Sequence, residues 1–256
     1  MNPSLQACLT ASPEMPLITD LSQWRRQWEA LCAQTTSPIE RAVGNGFSAD
    51  CLAWAFLGGY QAALRLIDTS LQDNQMASLC VTEEGGNRPA NIQTTWRELS
   101  DGRIQIDGQK SWLALAEDCD VLLVAARKAE TPDAQIALIR VPVETAGVSI
   151  VQRTDIPMIP EVPHARAQLD GVRVSLSSLM PGDGYSDFVK PFRTMEDIHV
   201  TAGLLAFVLR QARRMQWPDE FVERTVAAIA ALSTLAPLPA SEPVTHIELS
   251  GVLHNI

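Results

Sequence analysis

A chain of 256 residues with 46% hydrophobic residues has the length and composition of one large globular domain or two small ones. Its formal net charge of −10 argues against nucleic acids and anionic membranes as partners, because no basic field exists to attract them. A small anionic ligand is not excluded, since it requires only local hydrogen-bond donors.

The cysteines indicate a reducing compartment. They are five in number and scattered, with no C-x-x-C pair and no histidine at metal-ligand spacing. The N-terminus lacks a signal-peptide pattern, and no apolar run is long enough to cross a membrane. We therefore expect a cytoplasmic protein with reduced thiols, no metal site and no membrane partner.

The first segment, residues 1–18, contains three prolines and little periodicity, which predicts an extended arm. A helix is expected to follow from Asp20, capped by Thr19 or Asp20, because Leu21, Trp24, Trp28 and Leu31 share one helical face. The two tryptophans on this face predict a core or dimer contact.

Residues 34–47 are predicted to be a loop. The run Gly44–Ala49 matches G-x-G-x-x-A, a dinucleotide-binding pattern, but the preceding residues 37–43 are too short and polar for a buried strand. We therefore interpret the match as a coincidence.

A strongly apolar second helix is predicted over residues 48–71. Its Gly58-Gly59 pair costs about 2 kcal/mol of helix propensity. Such a cost predicts another element packed closely against that point.

From Ala77 the hydrophobic period changes to two, and Asp101-Gly102 marks a hairpin turn. Seven strands without intervening helices predict an antiparallel barrel or sandwich. The predicted strands are 78–82, 92–99, 103–107, 120–126, 135–142, 147–152 and 164–170.

Helical periodicity returns over residues 188–215, and Pro218 begins a last predicted helix that ends near Leu235. The tail beyond it, with three further prolines, is predicted to be a docking arm. The chain is thus predicted to be an α+β protein, with a short N-terminal helical region (1–76), a central β domain (77–187) and C-terminal helices (188–256).

Four segments follow a recognisable order: Leu79–Asn87 (LCVTEEGGN), Asp107–Ala114 (DGQKSWLA), Ala167–Val174 (AQLDGVRV) with Leu179–Tyr185, and Met195–Leu204. Together they resemble the motifs of the acyl-CoA dehydrogenase family, over residues 50–215. The resemblance implies FAD as the cofactor and acyl-CoA, or another acyl thioester, as the substrate.

The resemblance also implies roles for single residues. Val81 and Thr82 match the positions that contact the isoalloxazine edge, and Gly86 and Asn87 match those that serve the cofactor phosphates. Trp112 matches the tryptophan that packs beside the flavin. Ala114 stands where the family usually has a serine or threonine that bonds flavin N5, so one donor is absent.

Glu196 matches the catalytic base of the minority of members that carry it on the first helix after the β domain. A carboxylate there would take the proton α to the thioester. Asp197 stands where the family has an arginine. The helical regions are also shorter than is usual in the family.

Two interpretations remain open. The first is an FAD-dependent acyl-CoA dehydrogenase, expected as a homodimer. The second is a non-catalytic scaffold or binding subunit with a weakened or lost flavin site, for which a hetero-oligomer with a full-length dehydrogenase is the alternative assembly. A serine hydrolase is disfavoured, because no G-x-S-x-G occurs.

Overall fold

The computed structural model describes residues 3–131, 135–155 and 159–256, which form two compact units. The helical unit combines residues 1–74 and 191–256, and the β unit spans residues 75–190. The helices are α1 (Pro3–Thr10), α2 (Leu21–Cys32), α3 (Pro38–Ser48), α4 (Leu52–Ile67), α5 (Lys190–Arg214), α6 (Asp219–Leu235) and α7 (Pro243–His254). The strands are β1 (Ala77–Cys80), β2 (Thr95–Glu98), β3 (Arg103–Ala114), β4 (Val121–Lys128), β5 (Ile136–Pro142), β6 (Val148–Arg153) and β7 (His164–Ser175).

Helix α2 begins as its sequence predicts. The Asp20 carboxylate accepts a hydrogen bond from the Gln23 N–H at 2.8 Å, which satisfies one of the free donors of the first turn. Trp24 and Trp28 are fully buried, and the Trp24 ring stacks on Trp28 and on Trp54 of α4, with ring centroids 5.7 and 6.2 Å apart. The tryptophan face of α2 is therefore part of the core.

Three segments predicted to be irregular are helical. The arm predicted for residues 1–18 contains α1, although residues 1 and 2 lie outside the described residues. The loop predicted for residues 34–47 is mostly α3, and the tail predicted to be a docking arm contains α7. Each helix begins at a proline, Pro3, Pro38 or Pro243, where the missing N–H and fixed φ of proline are compatible with a first helical turn.

The glycine-rich match of Gly44–Ala49 forms the end of α3 and its C-cap residue, so it is not a phosphate-binding loop between a strand and a helix. A Cβ at Gly46 would lie 2.0 Å from the carbonyl oxygen of Gly203 in α5. The Gly58-Gly59 pair is explained in the same way, since a Cβ at Gly59 would lie 2.5 Å from the Cα of Val200. These glycines allow helix backbones to approach closely, as predicted for the pair in α4.

The β unit contains one seven-stranded sheet in the order β1-β4-β2-β3-β7-β6, with β5 paired to β4. The Asp101-Gly102 turn joins β2 and β3 as an antiparallel hairpin, as predicted. The prediction of a purely antiparallel barrel or sandwich is wrong, because β4 runs parallel to both β1 and β2. Hydrophobic alternation indicates which face of a strand is buried, but carries no information on strand direction.

Two kinds of feature are absent from the described residues. No helix in the described part of the chain is long and apolar enough to span a membrane. Over the same residues, no group of three or more His, Cys, Asp or Glu side chains is arranged to hold a metal ion.

Candidate functional site

The loop after β1 turns back on itself within four residues. The N–H of Glu83 donates to the carbonyl of Gly86 at 3.0 Å, and the N–H of Gly86 donates to the carbonyl of Glu83 at 2.9 Å. Gly86 has a φ of +110°, a conformation that favours glycine. The Gly86 N–H is thus used within the turn, while the next residue, Asn87, is exposed.

A buried ion pair fixes this turn to the sheet. Lys110 on β3 is fully buried, and its Nζ lies 2.7 Å from Oε1 of Glu83 and 2.6 Å from the carbonyl oxygen of Ala125. The Glu83 carboxylate also accepts hydrogen bonds from the N–H of Gln93 at 2.7 Å and the hydroxyl of Thr94 at 2.7 Å. The charges are therefore paired and bonded, which is the condition under which burial of ions is tolerated.

The surroundings of the pair set the pKa values of both groups. Burial would raise the pKa of the Glu83 carboxyl, but the hydrogen bond and charge of Lys110, with the donors from Gln93 and Thr94, hold that pKa below its ordinary value. Burial lowers the pKa of the Lys110 ammonium, and the Glu83 charge opposes this effect. The position of the pair under the turn indicates a structural role.

A β-bulge in β3 aims the side chain of Trp112 outwards. Lys110 pairs with Ala167 and Leu113 with Ala165, so two residues of β3, Ser111 and Trp112, lie opposite one residue of β7. An extra residue of this kind bends a strand and redirects its side chains, and bulges are frequent beside active sites. The Trp112 ring remains 38% exposed, although it lies in the longest pairing of the sheet.

Two cationic or polar side chains cover part of the Trp112 ring. The imidazole of His164 lies with its centroid 5.0 Å from the indole, and the guanidinium carbon of Arg153 lies 5.4 Å from the ring centroid. Arg153 on β6 and His164 on β7 are direct cross-strand partners, and Asp155 fixes the guanidinium at 2.6 Å. Burial lowers the pKa of His164, which favours the neutral imidazole. The resemblance did not identify Arg153 or His164, since their pairing depends on strand register.

Thr82 lies beside this aromatic surface. Its carbonyl accepts a hydrogen bond from the N–H of Ser111 at 2.8 Å, which joins the loop after β1 to the bulge that carries Trp112. The side chain of Thr82 is partly exposed, and neither its hydroxyl nor its N–H has a partner among the described residues. The preceding Val81 is buried, and its carbonyl faces Nζ of Lys110 at 3.4 Å. The structure therefore brings Val81, Thr82 and Trp112 together around available donors and an exposed ring.

The end of β3 is organised differently. Ala114 is buried, and its N–H donates to Oγ of Ser78 at 3.0 Å, so both a side-chain donor and the backbone donor are unavailable at this position. Leu115 and Ala116 then adopt left-handed conformations, with φ of 72° and 43°. Each such residue costs about 1–2 kcal/mol relative to a right-handed conformation. No sequence signal predicted this strained pair.

Glu196 lies on α5 in the helical unit, whereas the other candidate residues belong to the β unit. Burial and the neighbouring charge of Asp197 raise the pKa of the Glu196 carboxyl to about 7, and the charge of Arg193 opposes this shift. A carboxyl with this pKa exchanges protons readily near neutral pH, which suits a general base.

Comparison with known proteins gives a consistent pattern. Residues 78–172 match the family model described as acyl-CoA dehydrogenase, middle domain. A curated relative, benzylmalonyl-CoA dehydrogenase from Aromatoleum aromaticum, is 26% identical over 160 residues, which cover 61% of this chain. The chain spans only 41% of the length of that relative.

Solved structures extend the likeness to the fold. A crystal structure of an FAD-dependent dehydrogenase matches with a TM-score of 0.72 at 13% identity, over 99% of this chain and 84% of the other. Butyryl-CoA dehydrogenase from Megasphaera elsdenii matches with a TM-score of 0.67 at 12% identity, over 93% of this chain and 76% of the other. At these identities the structures support the fold alone.

Proposed function

We propose that this chain is a member of the acyl-CoA dehydrogenase family that binds FAD and carries out the α,β-dehydrogenation of an acyl thioester, on the support of the family-model match and the shared fold. The observation that carries the proposal is the exposed ring of Trp112 beside the unpartnered donors of Thr82. An aromatic plate and an edge of hydrogen-bond donors are what a flat, polar ring system requires.

Trp112 and Thr82 would hold the isoalloxazine ring, with Val81 presenting its backbone at the same edge. When bound, FAD would supply a hydride acceptor for the β carbon of the acyl chain. Lys110 and Glu83 would not contact the cofactor themselves. Their buried ion pair would instead hold in place the turn that follows Thr82. Gly86 has no free N–H for a phosphate, which leaves the exposed Asn87 as the polar group for that end of the cofactor.

Glu196 would remove the proton from the carbon α to the thioester. With its pKa near 7, about half of the carboxyl is ionised at neutral pH, and the ionised form is a stronger base than an ordinary glutamate. Asp197, in the place of the family's arginine, supports this role by its negative charge, which favours the proton-binding form of its neighbour.

A second candidate function follows from Ala114. Its N–H is bound to Ser78, and it offers no hydroxyl for flavin N5. A flavin at this site would lack one of its usual partners, which favours a non-catalytic scaffold or binding subunit, for example of a full-length dehydrogenase. Both candidates use the same fold and differ in whether flavin is retained.

Flavin binding distinguishes the two candidates. We expect the purified protein to bind FAD when titrated with it, with a change in the visible flavin spectrum, and Trp112→Ala to weaken binding. Trp217→Ala is the matched control, because Trp217 is equally exposed (38%) but belongs to the helical unit. Absence of binding with excess FAD would reject the flavoenzyme and leave the scaffold.

Catalysis requires a second experiment on the FAD-loaded protein. We expect butyryl-CoA to bleach the flavin absorption and Glu196→Gln to abolish bleaching, since an amide cannot take the proton. Glu223→Gln, an exposed position on α6, should bleach as the unmodified protein does. Retained bleaching in Glu196→Gln would remove Glu196 from the mechanism.

A further inference from the structure

The helical unit contains a cavity of about 600 Å³ whose lining includes none of the candidate site residues described above. Elements α1, α3, α4, α5 and α6 contribute to its wall. Much of the wall is apolar, with Leu5, Ile39, Leu66, Ala230 and Pro237 among its residues. This volume and this kind of lining are typical of small-molecule sites.

His199 is the buried polar group of the cavity wall. It is only 1% exposed, and its Nδ1 lies 2.7 Å from the carbonyl oxygen of Met195 in the preceding turn of α5. A carbonyl can only accept, so Nδ1 carries the hydrogen and Nε2 carries the lone pair. Burial lowers the pKa of His199 to about 4, and the ring is neutral at physiological pH.

Three other polar side chains of the wall, those of Glu40, Ser233 and Thr234, are engaged in hydrogen bonds. Thr234 and Ser233 donate their hydroxyls to carbonyls of α6, at 3.0 and 2.8 Å, and the Glu40 carboxylate accepts from the hydroxyl of Thr35 at 2.6 Å. Within the described ranges, no side chain or backbone group donates a hydrogen bond to Nε2 of His199. A ligand hydroxyl in the cavity would supply the donor that this lone pair lacks among the described residues.

The charge of the wall restricts the ligand further. Glu40 contributes an acidic group to the cavity, and the described residues of the lining include no lysine or arginine. An anionic ligand such as a fatty acid would meet repulsion from Glu40 without a compensating cation. A neutral ligand with one hydroxyl group fits both the apolar surface and the lone pair of His199.

We propose that this cavity is a binding site for a neutral, largely apolar alcohol, whose hydroxyl donates a hydrogen bond to Nε2 of His199. The site is built entirely from residues of the helical unit. It does not depend on flavin binding, so it stands or falls separately from the proposed function.

Calorimetric titration of the purified protein with 2-naphthol and 2-methoxynaphthalene tests the proposal. The two probes have the same ring system, but only the naphthol donates a hydrogen bond. We expect 2-naphthol to bind about fivefold more tightly, the effect of one net hydrogen bond, and His199→Phe to remove the difference. Equal affinities for the unmodified protein, or no binding of either probe, would overturn the proposal.

A second pair of variants locates the site without altering His199. Ala230→Phe places a large ring at the cavity wall and should abolish binding of both probes, whereas Ala227→Phe, on α6 but outside this lining, should leave it intact. Both alanines are exposed, so neither substitution disturbs the core. Unchanged binding in Ala230→Phe would overturn the assignment to this cavity.

Discussion

Replacement of Lys110 by methionine removes a charge from the buried pair while preserving the apolar stem of the side chain. Glu83 is then left as a buried carboxylate, only 8% exposed, and the carbonyl of Ala125 loses its donor. Breaking a buried pair on one side costs about 3–5 kcal/mol. The N–H of Gln93 and the hydroxyl of Thr94 still bond the carboxylate, so we expect the lower end of this range.

The same sheet offers a matched control. Lys128 and Glu98 also form a lysine–glutamate pair, at 3.1 Å, but their side chains are 44% and 55% exposed. Lys128→Met should therefore cost about 1 kcal/mol or less. Urea unfolding at neutral pH, followed by circular dichroism, measures both free energies of unfolding.

A double-mutant cycle completes the test. Glu83→Gln removes the unpaired charge, so the Lys110→Met/Glu83→Gln variant should be less destabilised than the sum of the two single variants, by about 0.5–3 kcal/mol. An equal, small decrease in the free energy of unfolding for Lys110→Met and Lys128→Met would refute the reasoning, because burial would then have no effect on how much an ion pair stabilises the protein.

The remaining predictions concern packing and ionisation. Gly46→Ala should destabilise the protein by more than about 1–3 kcal/mol, the usual cost of overpacking, because the added Cβ would lie 2.0 Å from a backbone oxygen. Gly251→Ala on α7 is the control, because a Cβ added there has no atom within 4 Å. It should stabilise the protein by up to about 1 kcal/mol in the same urea unfolding assay. The pKa of Glu83 is lowered on folding, so the carboxylate contributes to the free energy of unfolding at neutral pH and loses this contribution as the pH falls through the folded pKa. The difference in free energy of unfolding between the unmodified protein and Glu83→Gln should therefore shrink in acid. A difference that stays constant with pH would contradict this prediction. For the FAD-loaded protein, the rate of flavin bleaching by butyryl-CoA should rise with pH through about 7, as Glu196 ionises. Asp197→Asn should move that rise to lower pH, because the charge of Asp197 raises the pKa of Glu196. An unchanged pH profile in this variant would contradict the assignment of the base.

The helices that the sequence did not predict share one local feature. Pro3, Pro38 and Pro243 suggest irregular chain in the sequence, yet each begins a helix. A proline disrupts the interior of a helix but is compatible with its first turn. A proline that begins a helix can therefore be told from one in irregular chain only by whether the residues after it form a helix. In α3 those residues include Gly44, which packs against Leu31 of α2, and Gly46, which packs against Gly203 of α5, and these contacts override the low helix propensity of glycine.

The sheet was predicted in its strands and in its Asp101-Gly102 hairpin, because alternation and turn residues are local signals. The parallel pairing of β4 with β1 and β2 was not, since it joins strands that are distant in sequence. The candidate site divides in the same way. Thr82 and Trp112 were identified by family resemblance, whereas Arg153 and His164 reach Trp112 only through the register of β6 and β7.

The most direct test of the central claim is the visible spectrum of the purified protein after incubation with excess FAD and removal of unbound cofactor. The proposed function predicts retained flavin absorption in the unmodified protein and in Trp217→Ala, with a reduced content in Trp112→Ala. A colourless unmodified protein would contradict it, because the ring of Trp112 and the donors of Thr82 would then form an aromatic surface that does not hold flavin.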